Sequence, residues 1–132
     1  MRYMLDTNIC VYLLKAHPPE VLARLTQLDH GDAVMSIITY AELRVGLEGL
    51  GPTRAQNEQA LDLLTRDIPV LPFDKAAAVR YGVLRAAVPD RRRDAFDRLI
   101  AAHASSLGLS LVTNNEADFK DYPGLTVENW VQ

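Results

Sequence analysis

Short apolar runs of strand length alternate with segments of helical period along almost the whole of this 132-residue chain, and that alternation narrows the fold more than any other feature. Arg2 to Leu5, Ala33 to Ile37, "IPVLPF", "LSLVT" and "LTVEN" read as strands. Between them, Asn8 to Lys15, Val21 to Leu28, Tyr40 to about Leu50, Ala55 to Arg66, Lys75 to Ala87 and Ala95 to Leu107 carry apolar residues at helical spacing. Glu116 to Phe119 makes a short helical turn. Pro18 and Pro19 stop the first helix, and Gly51 and Pro52 stop the third. Strands alternating with helices imply an α/β fold, a parallel sheet covered on both faces. The prolines of "IPVLPF" cannot donate to a ladder, which puts that strand at an edge. No repeat, low-complexity tract or long linker interrupts the pattern, so the expectation is one domain over residues 1–132.

In such a sheet, a helix leaving a strand and a helix feeding the next strand both start at the carboxyl edge, where open α/β folds bind ligands. Four acids fall there: Asp6 at the end of strand one, Glu42 in the first turn of the helix after strand two, Asp97 in the first turn of the helix feeding strand four, and Asp118 just past strand four. Each also has a structural reading. Asp6 fits a turn or N-cap, and Thr39 to Glu42 fits a capping box. Asp94 and Asp97 fit a cap and a helix-dipole partner, and a second capping-box match, Thr113 to Glu116, leaves Asp118 the freer acid. Asp74 reads as the N-cap of its helix.

Carboxylates gathered on one rim repel one another unless a cation joins them. The lone Cys10 lies in an apolar stretch, so thiolate clusters and disulfides are excluded and any metal must be held by oxygen or imidazole. Hard oxygen ligands suit Mg2+ or Mn2+, and Mg2+ on a few carboxylates is a common means of hydrolysing a phosphodiester. The formal charge of -3 argues against binding nucleic acid through bulk positive charge, yet leaves a metal-dependent nuclease open. With no run of about 18 apolar residues and no secretory layout at the N-terminus, the expected location is the cytoplasm, without membrane contact.

Thr7, Thr113 and Asn114 are candidates for orienting these carboxylates by hydrogen bonding. Arg91, Arg92, Arg93 and Arg44 could meet phosphate or an acidic partner, or simply face solvent. Tyr12, Tyr40 and Phe119 could stack on bases, although core packing suits them as well. His103 lies along the buried stripe of its helix and reads as a core histidine.

"MLDTNICVYLL", "SIITYAELRVGLE", "DRLIAAHASSLGLSLVTNNEADF" and "PGLTVENW" together resemble, in order and over nearly the whole chain, the PIN-domain toxins of the VapC family. The resemblance implies a PIN fold with a parallel five-stranded sheet in order 3-2-1-4-5. It implies a Mg2+-dependent endoribonuclease, Mn2+ being the alternative ion, with Asp6, Glu42, Asp97 and Asp118 as catalytic residues and metal ligands. It implies a small VapB-type antitoxin whose C-terminal segment blocks the active-site groove, a homodimer, and an RNA substrate, tRNA among the candidates. One departure is "DRRRDAFD", which puts Asp94 where the family has a glycine and makes it a candidate auxiliary ligand. Two other classes compete: a catalytically silent PIN-fold binding module, and a Mg2+-dependent phosphoryl-transfer domain. The latter wants adjacent acids, or Asp-x-Asp, where this chain has Asp6-Thr7-Asn8.

Overall fold

The computed structural model describes residues 1–88 and 95–131. Its strands are β1 (Tyr3–Leu5), β2 (Ala33–Ser36), β3 (Val70–Leu71), β4 (Ser110–Val112) and β5 (Thr126–Glu128). Its helices are α1 (Thr7–Lys15), α2 (Pro19–Thr26), α3 (Ile37–Glu48), α4 (Arg54–Asp67), α5 (Lys75–Ala87) and α6 (Ala95–Ser106). All strand pairings are parallel, in the order β3-β2-β1-β4-β5. The α/β, PIN-like arrangement expected from the sequence is therefore the one observed.

The register shows how strands of two to four residues hold two cores apart. Tyr3 sits opposite Ala33 and Ser110, Met4 opposite Val34 and Leu111, and Leu5 opposite Val112. Because successive side chains on a strand point to opposite faces, Tyr3, Leu5, Ala33, Met35 and Val112 enter one core. There they meet Ile9, Cys10 and Leu13 of α1, Val21 of α2, Leu43 and Leu47 of α3, and Leu61 of α4. Met4, Val34 and Leu111 enter the other, against Leu84 of α5 and Ile100, Ala101 and Ala104 of α6. Truncating Met4 or Leu5, both fully buried, to alanine would cost about 2–5 kcal/mol.

Two boundaries differ from the expectation in a way that matters for the rim. Helix α3 begins at Ile37 rather than near Tyr40, because Ser36 is at once the last residue of β2 and the N-cap, its Oγ accepting from the Ile38 amide at 3.1 Å. The Thr39–Glu42 capping box is thereby excluded: both residues lie inside α3, and Glu42 stands in its second turn. The strand predicted over "IPVLPF" shrinks to Val70–Leu71 at the edge, as its prolines require. Asp74 is the N-cap of α5, its Oδ1 accepting from the Ala77 amide at 3.0 Å. Among the described residues, no helix is long and apolar enough to cross a membrane.

Candidate active site

The β1–β4 and β4–β5 ladders continue one step past their strands. The Asp6 amide donates to the Val112 carbonyl at 3.0 Å, and the Thr113 amide donates to the Glu128 carbonyl at 3.0 Å. Asp6 thus stands beside Thr113, whose hydroxyl hydrogen-bonds its carboxylate. Asp6 is also the N-cap of α1, its Oδ1 accepting from the Ile9 amide at 2.9 Å. The cap and the rim acid are therefore the same residue, and neither reading displaces the other. Only 4% of Asp6 is exposed. Burial pushes its carboxyl above the usual aspartate range and the nearby charge of Glu42 adds to the rise, while the Thr113 hydroxyl and Ile9 amide pull the other way.

Glu42 reaches the same place from α3. The Thr7 hydroxyl donates to Glu42 Oε1 at 2.6 Å and also lies 3.3 Å from Thr39 Oγ1. Thr7 therefore orients Glu42, and it is Thr113 that orients Asp6. Among the described residues, neither Asp6 nor Glu42 forms a salt bridge with a lysine or arginine.

Asp97 lies half-buried in the first turn of α6. The start of α6 borders Glu42, since Phe96 and Glu42 line one hollow with Ile38, Ala41 and Val45. Asp118 ends the 3-10 turn after β4, and the Asn115 side chain donates to its Oδ2. Glu116 accepts from Asn129 Nδ2 at 3.4 Å rather than closing a capping box, so Asp118 is no freer than Glu116. Thr113 Oγ1 instead takes the Asn115 amide at 3.0 Å. Among the described residues Asn114 has no hydrogen bond to a carboxylate; its amide donates to the Tyr12 hydroxyl at 3.3 Å and its Oδ1 accepts from Asn129 at 3.3 Å.

The remaining candidates divide cleanly. Arg44 is taken by Glu58 at 2.6 Å. Phe119 is buried core, and Tyr12 and Tyr40 pack against the core on the α1 side. Buried His103 has Nδ1 2.8 Å from Ser36 Oγ and its ring edge-on to Phe73. Its pKa is lowered by burial, against the raising effects of Asp74 and a bond to the Pro72 carbonyl. Arg91, Arg92, Arg93 and Asp94 lie outside the described residues. Sequence reasoning missed Ser36, Thr39 and Arg98, which with Asp6, His103 and Thr113 make up the buried polar residues described. For Arg98 the signal was its helical register: it sits three and four residues before Ala101 and Ala102, on the buried side of α6.

The donor set on this rim is carboxylate and hydroxyl oxygen. Among the described residues no three His, Cys, Asp or Glu side chains stand together as a ready ligand cage. Mg2+ seldom uses such a cage; it takes one or two carboxylates and keeps waters or substrate phosphate as its other ligands. Two neighbouring acids, Asp6 and Glu42, neither salt-bridged to a lysine or arginine among the described residues, fit that demand.

A parallel sheet in this order with acids at the carboxyl edge of its central strands defines the class, and residues 3–125 match the PIN domain family model. Over 98% of both chains, the sequence is 37% identical to the tRNA(fMet)-specific endonuclease VapC of Shigella flexneri. The structure resembles that of VapBC2 from Rickettsia felis bound to a DNA fragment from their promoter, with TM-score 0.87 and 34% identity over 99% of this chain and 100% of that one. It resembles DNA-bound VapBC from Salmonella typhimurium with TM-score 0.87 and 32% identity over 99% of each chain. The chain belongs to the PIN-domain family, in its VapC branch.

Proposed function

We propose that this chain is a divalent-metal-dependent endoribonuclease, the toxin of a toxin–antitoxin pair, acting as one domain over residues 1–132. The observation that carries the reading is Asp6. It is a buried carboxylate at the end of the central strand, its ionisation made costly by burial and by Glu42, with no lysine or arginine salt-bridged to either acid among the described residues. A divalent cation would offset both costs. Asp6, Glu42, Asp97 and Asp118 would hold it, Asp6 and Asp97 as the main direct ligands, with Mg2+ the first candidate and Mn2+ the second. When bound, such an ion acidifies water and stabilises negative charge on a phosphate and its leaving oxygen.

The chain's own residues supply positioning and proton handling. The Ile9 amide and Thr113 hydroxyl hold Asp6 in one orientation. With Glu42 Oε1 taken by Thr7, Oε2 is the oxygen left to accept a proton from the attacking water. Attack on phosphorus breaks the bond to the 3′ oxygen, so the products carry a 5′-phosphate and a 3′-hydroxyl. A 2′,3′-cyclic phosphate on the cut RNA would overturn this route, because it requires attack by the ribose 2′-hydroxyl.

The VapBC complexes that the structure resembles support a VapB-type antitoxin as partner. A groove of about 430 Å3 between α1, α3 and α4, lined by Val11, Leu14 and Leu47 and opening beside Thr7 and Glu42, is where an antitoxin segment would cover the site. Apolar Val45 and Phe96, 74% and 55% exposed, support a homodimer across α3 and α6. The Shigella relative's name makes tRNA the first substrate to test, in the cytoplasm where tRNA is found. Purified protein freed of antitoxin and given total RNA with Mg2+ should cleave it, and cleavage should vanish with chelator or with Asp6→Asn. No cleavage by the parent would overturn the reading in favour of a silent binding module. Cleavage that survives both Asp6→Asn and chelation would overturn the site.

A further inference from the structure

Thr7 is the first residue of α1, where its backbone N–H needs no intrahelical acceptor, and the cap of that helix is supplied by Asp6. Its side chain is thus not needed to start its own helix, and it reaches across to another. The 2.6 Å bond to Glu42 Oε1 has the length of a charge-assisted hydroxyl–carboxylate contact. A hydroxyl has one proton to give. With that proton directed at Glu42 Oε1, the Thr7 oxygen is left to accept in its 3.3 Å contact with Thr39 Oγ1. Thr39 is fully buried on α3, three residues before Glu42 and on the same side of the helix. A half-exposed glutamate at the mouth of a groove otherwise has considerable rotamer freedom to lose before it acts.

Resting on the nuclease reading above, we propose that Thr7 is a positioning residue: its hydroxyl, backed by Thr39, fixes the Glu42 carboxylate in one orientation for the cation and the attacking water. The link is long-range, joining the first residue of α1 to the second turn of α3. It deepens the site by setting Glu42 rather than adding a ligand.

The test compares Thr7→Val, which keeps the shape and loses the hydroxyl, with Thr7→Ser, which keeps the hydroxyl, and repeats Thr7→Val in a Glu42→Ala background. Thr7→Ala serves the same comparison where the extra methyl of valine crowds α3. Three quantities are read on the full chain freed of antitoxin: kcat and KM for RNA, the Mn2+ dissociation constant by calorimetry without RNA, and the melting temperature. Thr7→Val is expected to lose about 10–100-fold in kcat and in Mn2+ affinity, with KM and melting temperature unchanged, and Thr7→Ser to recover both. In the Glu42→Ala background Thr7→Val should cost nothing more. Parent-like kcat and Mn2+ binding in Thr7→Val and Thr7→Ala would overturn the proposal, as would a full further loss in Glu42→Ala. A parent that neither cleaves RNA nor binds Mn2+ is a different result, and it overturns the nuclease reading with everything resting on it.

Discussion

Helix α3 carries two glutamates six residues apart that live under opposite rules. Glu48, near its outer end, is neutralised by Arg54 at 2.8 Å, and Glu58 of α4 is shared between Arg44 and Arg54 at 2.6 and 3.3 Å. Those guanidinium groups hold Glu48 and Glu58 below the usual glutamate range. Glu42, at the inner end, accepts a hydrogen bond from the Thr7 hydroxyl and forms no salt bridge among the described residues. The sheet repeats the contrast at its two ends. Asp32, at the amino end, pairs with Arg2 and accepts the Asp29 amide, whereas Asp6 at the carboxyl end is held by an amide and a hydroxyl. Glu48, Glu58 and Asp32 are each paired with an arginine, whereas Asp6 and Glu42 at the candidate site are held by amide and hydroxyl donors and form no salt bridge among the described residues.

The sharpest way to break this contrast is Asp6→Asn. Asparagine still caps α1 through its side-chain oxygen, so the fold should persist while RNA cleavage falls about a thousandfold or more. With divalent ions chelated, the variant should melt higher than the parent. The carboxyl of Asp6 is raised above its unfolded value, so ionising it works against the fold. The two proteins should melt alike in acid, where Asp6 is protonated in both states. The variant's advantage opens as pH rises past the ordinary aspartate value of 3.8 and is complete above the raised folded one. Added Mg2+ or Mn2+ should then raise the melting temperature of the parent and not of Asp6→Asn.

Glu42→Gln comes next, with cleavage expected to drop about a hundredfold or more, because the amide still accepts from Thr7 but takes no proton from water. His103 tests whether the carboxyl edge also tolerates a new positive charge. Its pKa is depressed, so parent stability should decline as pH falls through 6.5 toward the lower folded value. In chemical denaturation across that window, His103→Gln should lose the slope even if it starts less stable. The smallest effect belongs to Glu48→Gln, which removes an exposed pair. Melting temperature and cleavage should both stay at parent levels, and a marked loss of cleavage would mean that the two ends of α3 are not separate.

Much of this was readable in residue order. Continuous apolar runs such as "YML" and "AVMS", alternating with helical segments, implied a parallel sheet covered on both faces, the prolines of "IPVLPF" marked an edge, and Asp74 announced its cap. The positions of Asp6 and Glu42 on one rim also followed from the order of strands and helices. Their partners did not. Thr7 finds Glu42 across 35 residues, and Thr113 finds Asp6 because β1 and β4 pair in register. Local spacing instead pointed to Thr39–Glu42 and Thr113–Glu116 as caps. The start of α3 was hidden for a similar reason: Ile37 and Ile38 are β-branched and continue the look of a strand. Ser36 had already turned the chain.

That turn has a consequence for how the sequence is able to drift. Ser36 ends β2 and caps α3 with no intervening loop, so nothing between the sheet and Glu42 can absorb a change in length. One residue inserted after Ser36 would rotate α3 by about 100° and carry the Glu42 carboxylate off the rim and away from Thr7. Insertions and deletions are thus confined to other joints of the fold. Here, spacing is as binding as identity.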